Sequence, residues 1–302
     1  MYEVVIVGGG PAGLSAALIL GRCRRRVLLC DAGSPRNAAA SALHGFLTRD
    51  GTPPLELLRL GREELAPYGI DVRNATVTDI GRGDGNFDVT IAESEHVQAH
   101  ALLLATGICD QLPPIPGIRE CYGISVHHCP YCDGWEHRNE PLAVIGQGSG
   151  AVGLALSLKT WTANVTLCTN GWVPKRIQRE QLAAHGVALA SARINRLDHE
   201  EGRANRVVLE GAPPADCRGV FFSSSQAQQS EFARRLGCEF SRKGTVKTDH
   251  LGETCVPGVF VVGDASRDVQ FAVVAAAEGA KAGVAINKAL QARDGLAVRT
   301  ES

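Results

Sequence analysis

The stretch Val4-Val5-Ile6-Val7-Gly8-Gly9-Gly10-Pro11-Ala12-Gly13 decides the fold of this chain. It predicts a buried strand at residues 4–7, a glycine turn at 8–13 and a helix over Leu14–Leu20. A second strand, Val27–Cys30, follows and ends in Asp31. Such glycines allow a tight turn and a close approach of backbone amides to a pyrophosphate, and the acid can accept hydrogen bonds from a ribose diol. The pattern therefore indicates a dinucleotide-binding unit.

A second copy of this pattern begins 138 residues later, with a strand at Leu142–Ile145, a turn at 146–151, a helix at Val152–Lys159 and a strand at Val165–Cys168. Gly8, Gly10 and Gly13 correspond to Gly146, Gly148 and Ala151, whereas Asp31 corresponds to Thr169. The chain therefore contains an internal repeat whose second copy lacks the acid.

A third segment predicts a buried strand at 258–262, then Gly263-Asp264, then an Ala-rich helix over Phe271–Leu290. An aspartate at such a strand end can hold a polyol chain, and a helix N-terminus offers partial positive charge to an electron-rich ring edge. This arrangement suits a reduced flavin. The alternative is that the strand and helix serve only as core.

Cys129-Pro130-Tyr131-Cys132 lies between the two glycine turns and has the spacing of a redox-active dithiol. This motif alone is weak evidence, but its position favours a flavin that exchanges electrons with a disulfide. The other cysteines, such as Cys30, Cys168 and Cys238, are expected to be mostly buried and reduced.

Length and charge limit the classes of function. With 302 residues the chain has room for two domains, and its net charge of -1 favours neither nucleic acid nor an anionic membrane as partner. The first residues lack a positive leader and a cleavage site, and the glycine turn interrupts the longest apolar run. We expect a soluble cytoplasmic protein.

The fold class predicted is α/β, with two Rossmann-like, three-layer ββα domains, the second inserted into the first. The proline-rich stretch 113–117 predicts an exit from the first domain, and 243–245 predicts the return. The expected domains are residues 1–114 with 244–302, and residues 115–243.

Four motifs together resemble the low-molecular-weight thioredoxin reductases over essentially the whole chain: residues 8–13, Ala105-Thr106-Gly107, residues 129–134, and Gly258-Val259-Phe260 followed by Gly263-Asp264. The resemblance implies FAD on the first domain, a redox-active disulfide on the second and a homodimer. It also implies that Cys132 faces the flavin, Cys129 faces the disulfide substrate and Asp133 is the acid of the exchange. The positions implied for flavin binding are Gly8, Gly10, Pro11, Ala12, Gly13, Asp31, Asn37, His44, Thr48, Val77, Ala105, Thr106, Gly107, Gly263, Asp264, Gln270 and Phe271.

The second repeat departs from this family. Where the family holds the 2'-phosphate of NADPH with a His-Arg-Arg run, this chain has Cys168-Thr169-Asn170-Gly171, and Gly153 replaces a glutamate that the family tends to carry. Each lost charge-assisted hydrogen bond to phosphate is worth about 1.5–3 kcal/mol. Lys175 and Arg176 could substitute, so an NADPH site remains open. The sequence predicts a non-standard or absent one.

Several electron partners and functions therefore stay open. Atypical relatives include ferredoxin-linked and deeply branching thioredoxin reductases, and the gliotoxin- and holomycin-type dithiol oxidases, which pass electrons to oxygen and form hydrogen peroxide. The disulfide partner is a thioredoxin-like protein or a small-molecule dithiol. A non-catalytic, flavin-binding redox sensor is a third hypothesis.

Other interpretations of the cysteine segment are weaker. A zinc site including His137 lacks a second arm of ligands, so no metal is expected. A glutaredoxin would place Cys-Pro-Tyr-Cys near the start of a small fold. His127 and His128 are left between a general base, a thiolate partner and ordinary polar surface.

Overall fold

The structure is a computed structural model that describes residues 1–92, 94–223, 225–267 and 269–296. Its contacts divide the chain into two compact units. Unit 1 comprises Met1–Arg36, Gly45–Cys109 and the chain from Gln226 onward, and unit 2 comprises Asn37–His44 and Asp110–Ser225. Each unit is described by itself.

The helices and strands of unit 1 are β1 (Tyr2–Val7), α1 (Pro11–Arg22), β2 (Val27–Asp31), α2 (Pro54–Leu65), β3 (Asp71–Asn74), β4 (Val77–Arg82), β5 (Phe87–Ile91), β6 (Glu95–Leu104), β16 (Gln226–Gln228), α7 (Phe232–Arg235), β17 (Val259–Val261) and α8 (Ala272–Arg293). Short 3₁₀ helices occupy Ala66–Tyr68 and Gly263–Ala265. Those of unit 2 are α3 (Ile118–Cys121), β8 (Val126–His127), α4 (Pro130–Asp133), β9 (Leu142–Ile145), α5 (Gly148–Leu158), β10 (Val165–Cys168), α6 (Arg176–Ala184), β11 (Val187–Ala190), β12 (Ile194–Glu200), β13 (Arg203–Leu209), β14 (Ala215–Asp216) and β15 (Gly219–Phe222). Strand β7 (Ile108–Asp110) pairs with β16 where the chain passes from one unit to the other.

The exchange between units therefore occurs at β7 and β16. Residues 110–114 pack with unit 2 and residues 226–243 with unit 1, which is the opposite of the assignment expected from the sequence for both segments. The proline run and the Lys243 turn lie beyond the paired strands, so composition alone misses the crossing point.

The sheet of unit 1 explains why residues 4–7 are continuously apolar. Its order is β3-β2-β1-β6-β5-β4, with β17 also paired to β6. Val4 and Ile6 pack in a core with the helices α1 and α8, whereas Val5 and Val7 pack in a second core that includes β4 and β5. A strand covered on both faces has no polar alternation, and the result is a three-layer ββα unit.

Helices α1 and α8 approach each other closely because glycine lies at their contact. A Cβ on Gly279 would lie 1.9 Å from the carbonyl oxygen of Ala12, and one on Gly283 would lie 3.0 Å from the Cβ of Ile19. This packing holds the start of α1, directly after the first glycine turn, against α8.

Unit 2 repeats the design. Its parallel sheet has the order β11-β10-β9-β15-β8, with an antiparallel sheet β12-β13-β14 on one side and α5 and α6 on the other. The predicted strands at 142–145 and 165–168 have the observed bounds. Helix α5 begins at Gly148 rather than at Val152, so the second half of the glycine turn belongs to the first turn of the helix. The predicted α/β class with two Rossmann-type ββα units is confirmed. No helix in the described residues is long and apolar enough to cross a membrane.

Candidate functional site

The first glycine turn in unit 1 has the geometry of a phosphate cradle. A Cβ on Gly8 would lie 2.3 Å from the carbonyl oxygen of Ala105, and one on Gly13 would lie 1.9 Å from that of Gly8, so both positions require glycine. A Cβ on Gly10 would meet nothing within 4 Å, and α1 begins immediately after it. Amides in the first turn of a helix lack intrahelical acceptors, so the open space beside Gly10 suits a pyrophosphate.

Asp31 stands at the end of β2, beside the turn, as predicted. Its Oδ2 would lie 2.7 Å from a Cβ on Gly9. Arg62 of α2 donates to the same carboxylate, and the Gly33 amide donates to Oδ1 over 3.2 Å. Arg62 was not predicted from the sequence; it orients the carboxylate, while the sheet brings the carboxylate to the cradle.

The second polar cluster of unit 1 forms around Arg36. Its Nη1 donates to Asp264 Oδ2 over 2.9 Å and to Gln270 Oε1 over 2.7 Å. Glu278 of α8 accepts a 3.0 Å hydrogen bond from the Gly263 amide and also pairs with Arg267. Two of the predicted flavin residues, Asp264 and Gln270, are thus held together. Glu278 was not predicted, although a single acid in an Ala-rich helix is a signal that its carboxylate bonds to a neighbouring element.

The other predicted flavin positions are distributed differently. Ala105, Thr106 and Gly107 follow β6, and the Ala105 amide donates to the Val7 carbonyl over 2.8 Å. Pro11 and Ala12 open α1, and Phe271 is the N-cap residue of α8.

Thr48 is exposed with a φ of 72°, and the Val77 side chain lies in the core. Asn37 and His44 pack with unit 2, where His44 Nε2 lies 3.4 Å from Glu136. The part of these two residues in flavin binding stays a prediction.

The redox pair lies in unit 2 at a short helix. Cys129 is the N-cap of α4 and forms a disulfide with Cys132, with the two Cα atoms 5.3 Å apart. Pro130 occupies the first helical position, where no amide donor is needed. The Cys132 and Asp133 amides both donate to the Cys129 carbonyl over 3.2 Å. The sequence folds the pair into the spacing that a disulfide requires.

Asp133 is linked to two histidines. His127 Nδ1 lies 3.2 Å from Asp133 Oδ1, and His127 Nε2 lies 2.9 Å from His137 Nε2. His127 is buried on β8, and both rings contact Phe221 of β15. Burial, reinforced by His127, lowers the pKa of His137 to about 4, so its ring is neutral at pH 7. The sequence left His127 open and missed its connection to His137.

Exposed aromatic side chains lie next to the disulfide in the sequence. Tyr131, between the two cysteines, is 70% exposed, and Trp135 is 64% exposed. The Tyr131 ring meets Trp161 edge-on at 5.6 Å, and the Arg138 guanidinium lies 4.2 Å over the Trp135 ring. Exposed aromatic side chains of this kind favour the binding of a partner or an apolar substrate.

In the second repeat, hydrogen bonds close the end of β10, which is the position that corresponds to Asp31 at the end of β2. Thr169 is fully buried, and its hydroxyl donates to the Trp172 carbonyl. Gln147 Nε2, from the turn itself, lies 3.2 Å from the Thr169 carbonyl oxygen and 3.4 Å from that of Asn170. Arg176, considered as a substitute phosphate ligand, pairs with Glu180 on α6.

The described residues contain no group of three or more His, Cys, Asp or Glu side chains that could hold a metal ion. The buried cysteines behave as apolar residues: burial raises the pKa of Cys168 and of Cys217 to about 12. Only thiolates are good nucleophiles, so these thiols are inert at neutral pH.

Two ββα units, one with a complete dinucleotide cradle and one with a disulfide beside an acid, define a flavin-dependent disulfide oxidoreductase of the thioredoxin-reductase type. A sequence profile described as "Pyridine nucleotide-disulphide oxidoreductase" matches residues 2–279, and the chain belongs to this family.

The individual relatives agree. "Probable thioredoxin reductase" of Arthroderma benhamiae is 31% identical over 302 aligned positions, covering 88% of this chain and 74% of the relative. "Thioredoxin reductase aclD" of Aspergillus oryzae is 29% identical and covers 95% of each chain. The crystal structure of HlmI superposes with a TM-score of 0.94 at 36% identity, covering 97% of this chain and 94% of that one. The suspected resemblance and the class of enzyme are confirmed.

Proposed function

We propose that this enzyme cycles the Cys129–Cys132 disulfide against FAD and receives or delivers its other electrons without a standard NADPH site. The observation that carries the proposal is the closed end of β10, where Gln147 bridges the carbonyls of Thr169 and Asn170. The expected cofactor is FAD alone, and the exchange acts on a thioredoxin-like disulfide or a small dithiol.

FAD fits unit 1. The open space beside Gly10 suits its pyrophosphate, and the carboxylates of Asp31 and Asp264 suit its ribose and its ribityl chain. When bound, FAD supplies a two-electron couple for the disulfide. Within that cycle we assign Cys132 to the flavin side, Cys129 to the substrate side and Asp133 to proton transfer, as the family resemblance implies.

A nicotinamide dinucleotide fits the second turn poorly. The residue at the ribose position, Thr169, is buried and already bonded to the Trp172 carbonyl. The segment 168–171 also supplies no arginine for a 2'-phosphate. Two missing charged hydrogen bonds of about 1.5–3 kcal/mol each weaken NADPH binding about 100-fold or more.

A second candidate is an oxygen-linked oxidase of small dithiols, which forms hydrogen peroxide. The exposed rings of Tyr131 and Trp135 beside the disulfide favour it, because they offer a flat apolar surface to a compact substrate. A reduced ferredoxin remains the alternative electron partner for the reductive direction.

Stopped-flow mixing tests these proposals. The oxidised, FAD-loaded protein is mixed anaerobically with dithiothreitol, NADPH, NADH or reduced ferredoxin while the flavin absorption band is followed. We expect dithiothreitol to bleach the band within the first turnover and NADPH to do so at least 100-fold more slowly. Readmitted air restores the band with one peroxide per dithiol if oxygen is the acceptor.

The matched variants are Cys132→Ser and Cys255→Ser, since Cys255 is exposed and belongs to no disulfide. Cys132→Ser is expected to abolish bleaching by the dithiol, and Cys255→Ser to leave it unchanged. Bleaching by the dithiol in both variants contradicts the role of the pair. Rapid bleaching by NADPH contradicts the absence of a standard nicotinamide site.

The family resemblance also supports a homodimer. Sedimentation velocity checks the assembly, with an expected mass of twice the 31.9 kDa chain.

A further inference from the structure

Asp133, His127 and His137 form a contiguous triad, and its geometry assigns a donor or acceptor role to each nitrogen that bridges two residues. His127 Nδ1 faces Asp133 Oδ1 at 3.2 Å, and because a carboxylate oxygen only accepts, the proton of His127 is assigned to Nδ1. His127 Nε2 is then the acceptor of the 2.9 Å contact, and His137 Nε2 carries the proton. An imidazole nitrogen is a donor or an acceptor according to the bond that the other nitrogen makes.

Phe221 and Gly219 of β15 hold the two histidine rings in place. Phe221 packs against both rings, with centroid distances of 5.6 Å to His127 and 6.3 Å to His137. Gly219 of β15 leaves room for His137, because a Cβ there would lie 2.9 Å from its Cγ. A larger residue at position 219 would displace the His137 ring.

Other titratable groups nearby have separate partners. His128 Nδ1, adjacent to Cys129, lies 3.7 Å from Asp110 Oδ2. His44 Nε2 lies 3.4 Å from Glu136. The Asp133 carboxylate is thus contacted by His127, whereas its sequence neighbours Glu136 and His128 pair elsewhere.

We propose that His127 and His137 are positioning residues for thiol–disulfide exchange: His137 fixes the tautomer of His127, and His127 orients Asp133 and stabilises its carboxylate. The inference rests on the proposed function of the cysteine pair. It concerns two residues to which the family resemblance gives no role.

In thiol–disulfide exchange, the two histidines would act on the proton transfers through Asp133. The first substrate thiol gives its proton to the Asp133 carboxylate, which His127 Nδ1–H holds in place. Its thiolate attacks one sulfur of the pair, the Cys129–Cys132 bond breaks, a mixed disulfide forms and the displaced cysteine thiolate takes the proton from Asp133. The second substrate thiol then gives its proton to the Asp133 carboxylate, and its thiolate attacks the mixed disulfide and releases the other cysteine, which takes up that proton. Two electrons and two protons have passed from the substrate thiols to the cysteine pair.

The test measures the rate at which dithiothreitol reduces the Cys129–Cys132 disulfide between pH 5 and 9. Acid quench, alkylation and mass spectrometry follow the pair in the FAD-loaded protein, so the readout does not depend on flavin turnover. The variants are His127→Leu and His137→Leu, with His127→Asn and His137→Gln as conservative partners that retain an N–H near the lost donor. His128→Gln is the matched control.

Loss of one charged hydrogen bond disfavours the carboxylate that accepts the substrate proton, so the acid limb of the His127→Leu profile is expected to move upward by about one pH unit. His137→Leu shifts it in the same direction and less far, and the Asn and Gln variants restore most of the wild-type profile. His128→Gln leaves the profile in place. Imidazole ¹⁵N shifts of the labelled wild type are expected to show the proton of His127 on Nδ1.

Unchanged profiles in both Leu variants overturn the inference, as does an equal shift in His128→Gln or a proton on Nε2 of His127. If dithiothreitol fails to reduce the wild-type pair at any pH, the proposed function itself is wrong. The two failures are therefore distinguishable.

Discussion

At the scale of single residues, the surroundings of each cysteine decide whether its thiol is reactive. Cys129 and Cys132 are partly exposed and joined at a helix start, whereas Cys168 and Cys217 are buried within the core of unit 2. Burial disfavours the thiolate, which is the form that attacks disulfides. Placement in the fold therefore concentrates the redox chemistry at residues 129–132.

His137 makes a prediction about acid stability. Its pKa in the folded protein is about 4, below the value of about 6.5 for a free imidazole, so the unfolded chain binds an extra proton between these pH values. The stabilisation that the neutral His137 ring adds to the unfolding free energy is thus complete above about pH 6.5 and is lost as pH falls toward 4. His137→Gln is expected to flatten the decline in unfolding free energy by up to about 1.4 kcal/mol per pH unit in this window.

Urea denaturation at pH 7, 6, 5 and 4.5 checks this difference in slope. His185→Gln, at the exposed end of α6, serves as the control and should retain the wild-type slope. Equal slopes for all three proteins would sink the prediction.

At the scale of elements, contact between helices supports the cradle. Gly279 of α8 touches the backbone of Ala12, which opens α1 beside the first glycine turn. The pair of helices thereby fixes where the amides of the turn point. Glu278, the preceding residue, holds the Gly263 amide from the same turn of α8.

Gly279→Ala tests this arrangement. A methyl group 1.9 Å from the Ala12 carbonyl oxygen forces the helices apart, so unfolding should become easier by about 1–3 kcal/mol and FAD should bind more weakly. Gly153→Ala in α5 is the matched control, since its Cβ would meet nothing within 4 Å. There the substitution is expected to stabilise by about 0.5–1 kcal/mol. Thermal unfolding and FAD titration measure both, and equal effects would contradict the packing argument.

At the scale of the whole molecule, the two repeats are expected to respond differently to cofactor. FAD at 100 times its Kd should add about 2.7 kcal/mol to the unfolding free energy. Hydrogen exchange should then slow at residues 8–13, 105–107 and 262–267, while 146–151 keep the rate of the FAD-free protein. Protection of both turns would contradict the assignment of FAD to unit 1.

Gly10→Ala is the control for this experiment. Its added methyl has space in the FAD-free protein but would occupy the position expected for the pyrophosphate. Unfolding without FAD should therefore be close to wild type, and the protection by FAD should disappear.

Much of the fold could be predicted from local sequence. Strands β9 and β10 have their predicted bounds, and α8 begins one residue after the predicted start. Helix starts at glycine turns were less accurate: α1 begins at Pro11 rather than Leu14, because proline is well suited to the first helical position. The connection between the units was missed, since strand pairing between β7 and β16 depends on residues more than 110 positions apart.

The sequence by itself determined the two strand–turn–helix repeats, the missing acid of the second repeat and the Cys129–Cys132 pair, because each depends on backbone geometry within a few residues. Only the tertiary structure decided that Glu278 holds Gly263, that Gln147 closes the end of β10 and that His127 links Asp133 to His137. These contacts join separate elements, and their distances follow from how sheets and helices pack rather than from spacing along the chain. The redox pair is thus encoded locally, whereas these contacts are assembled by folding.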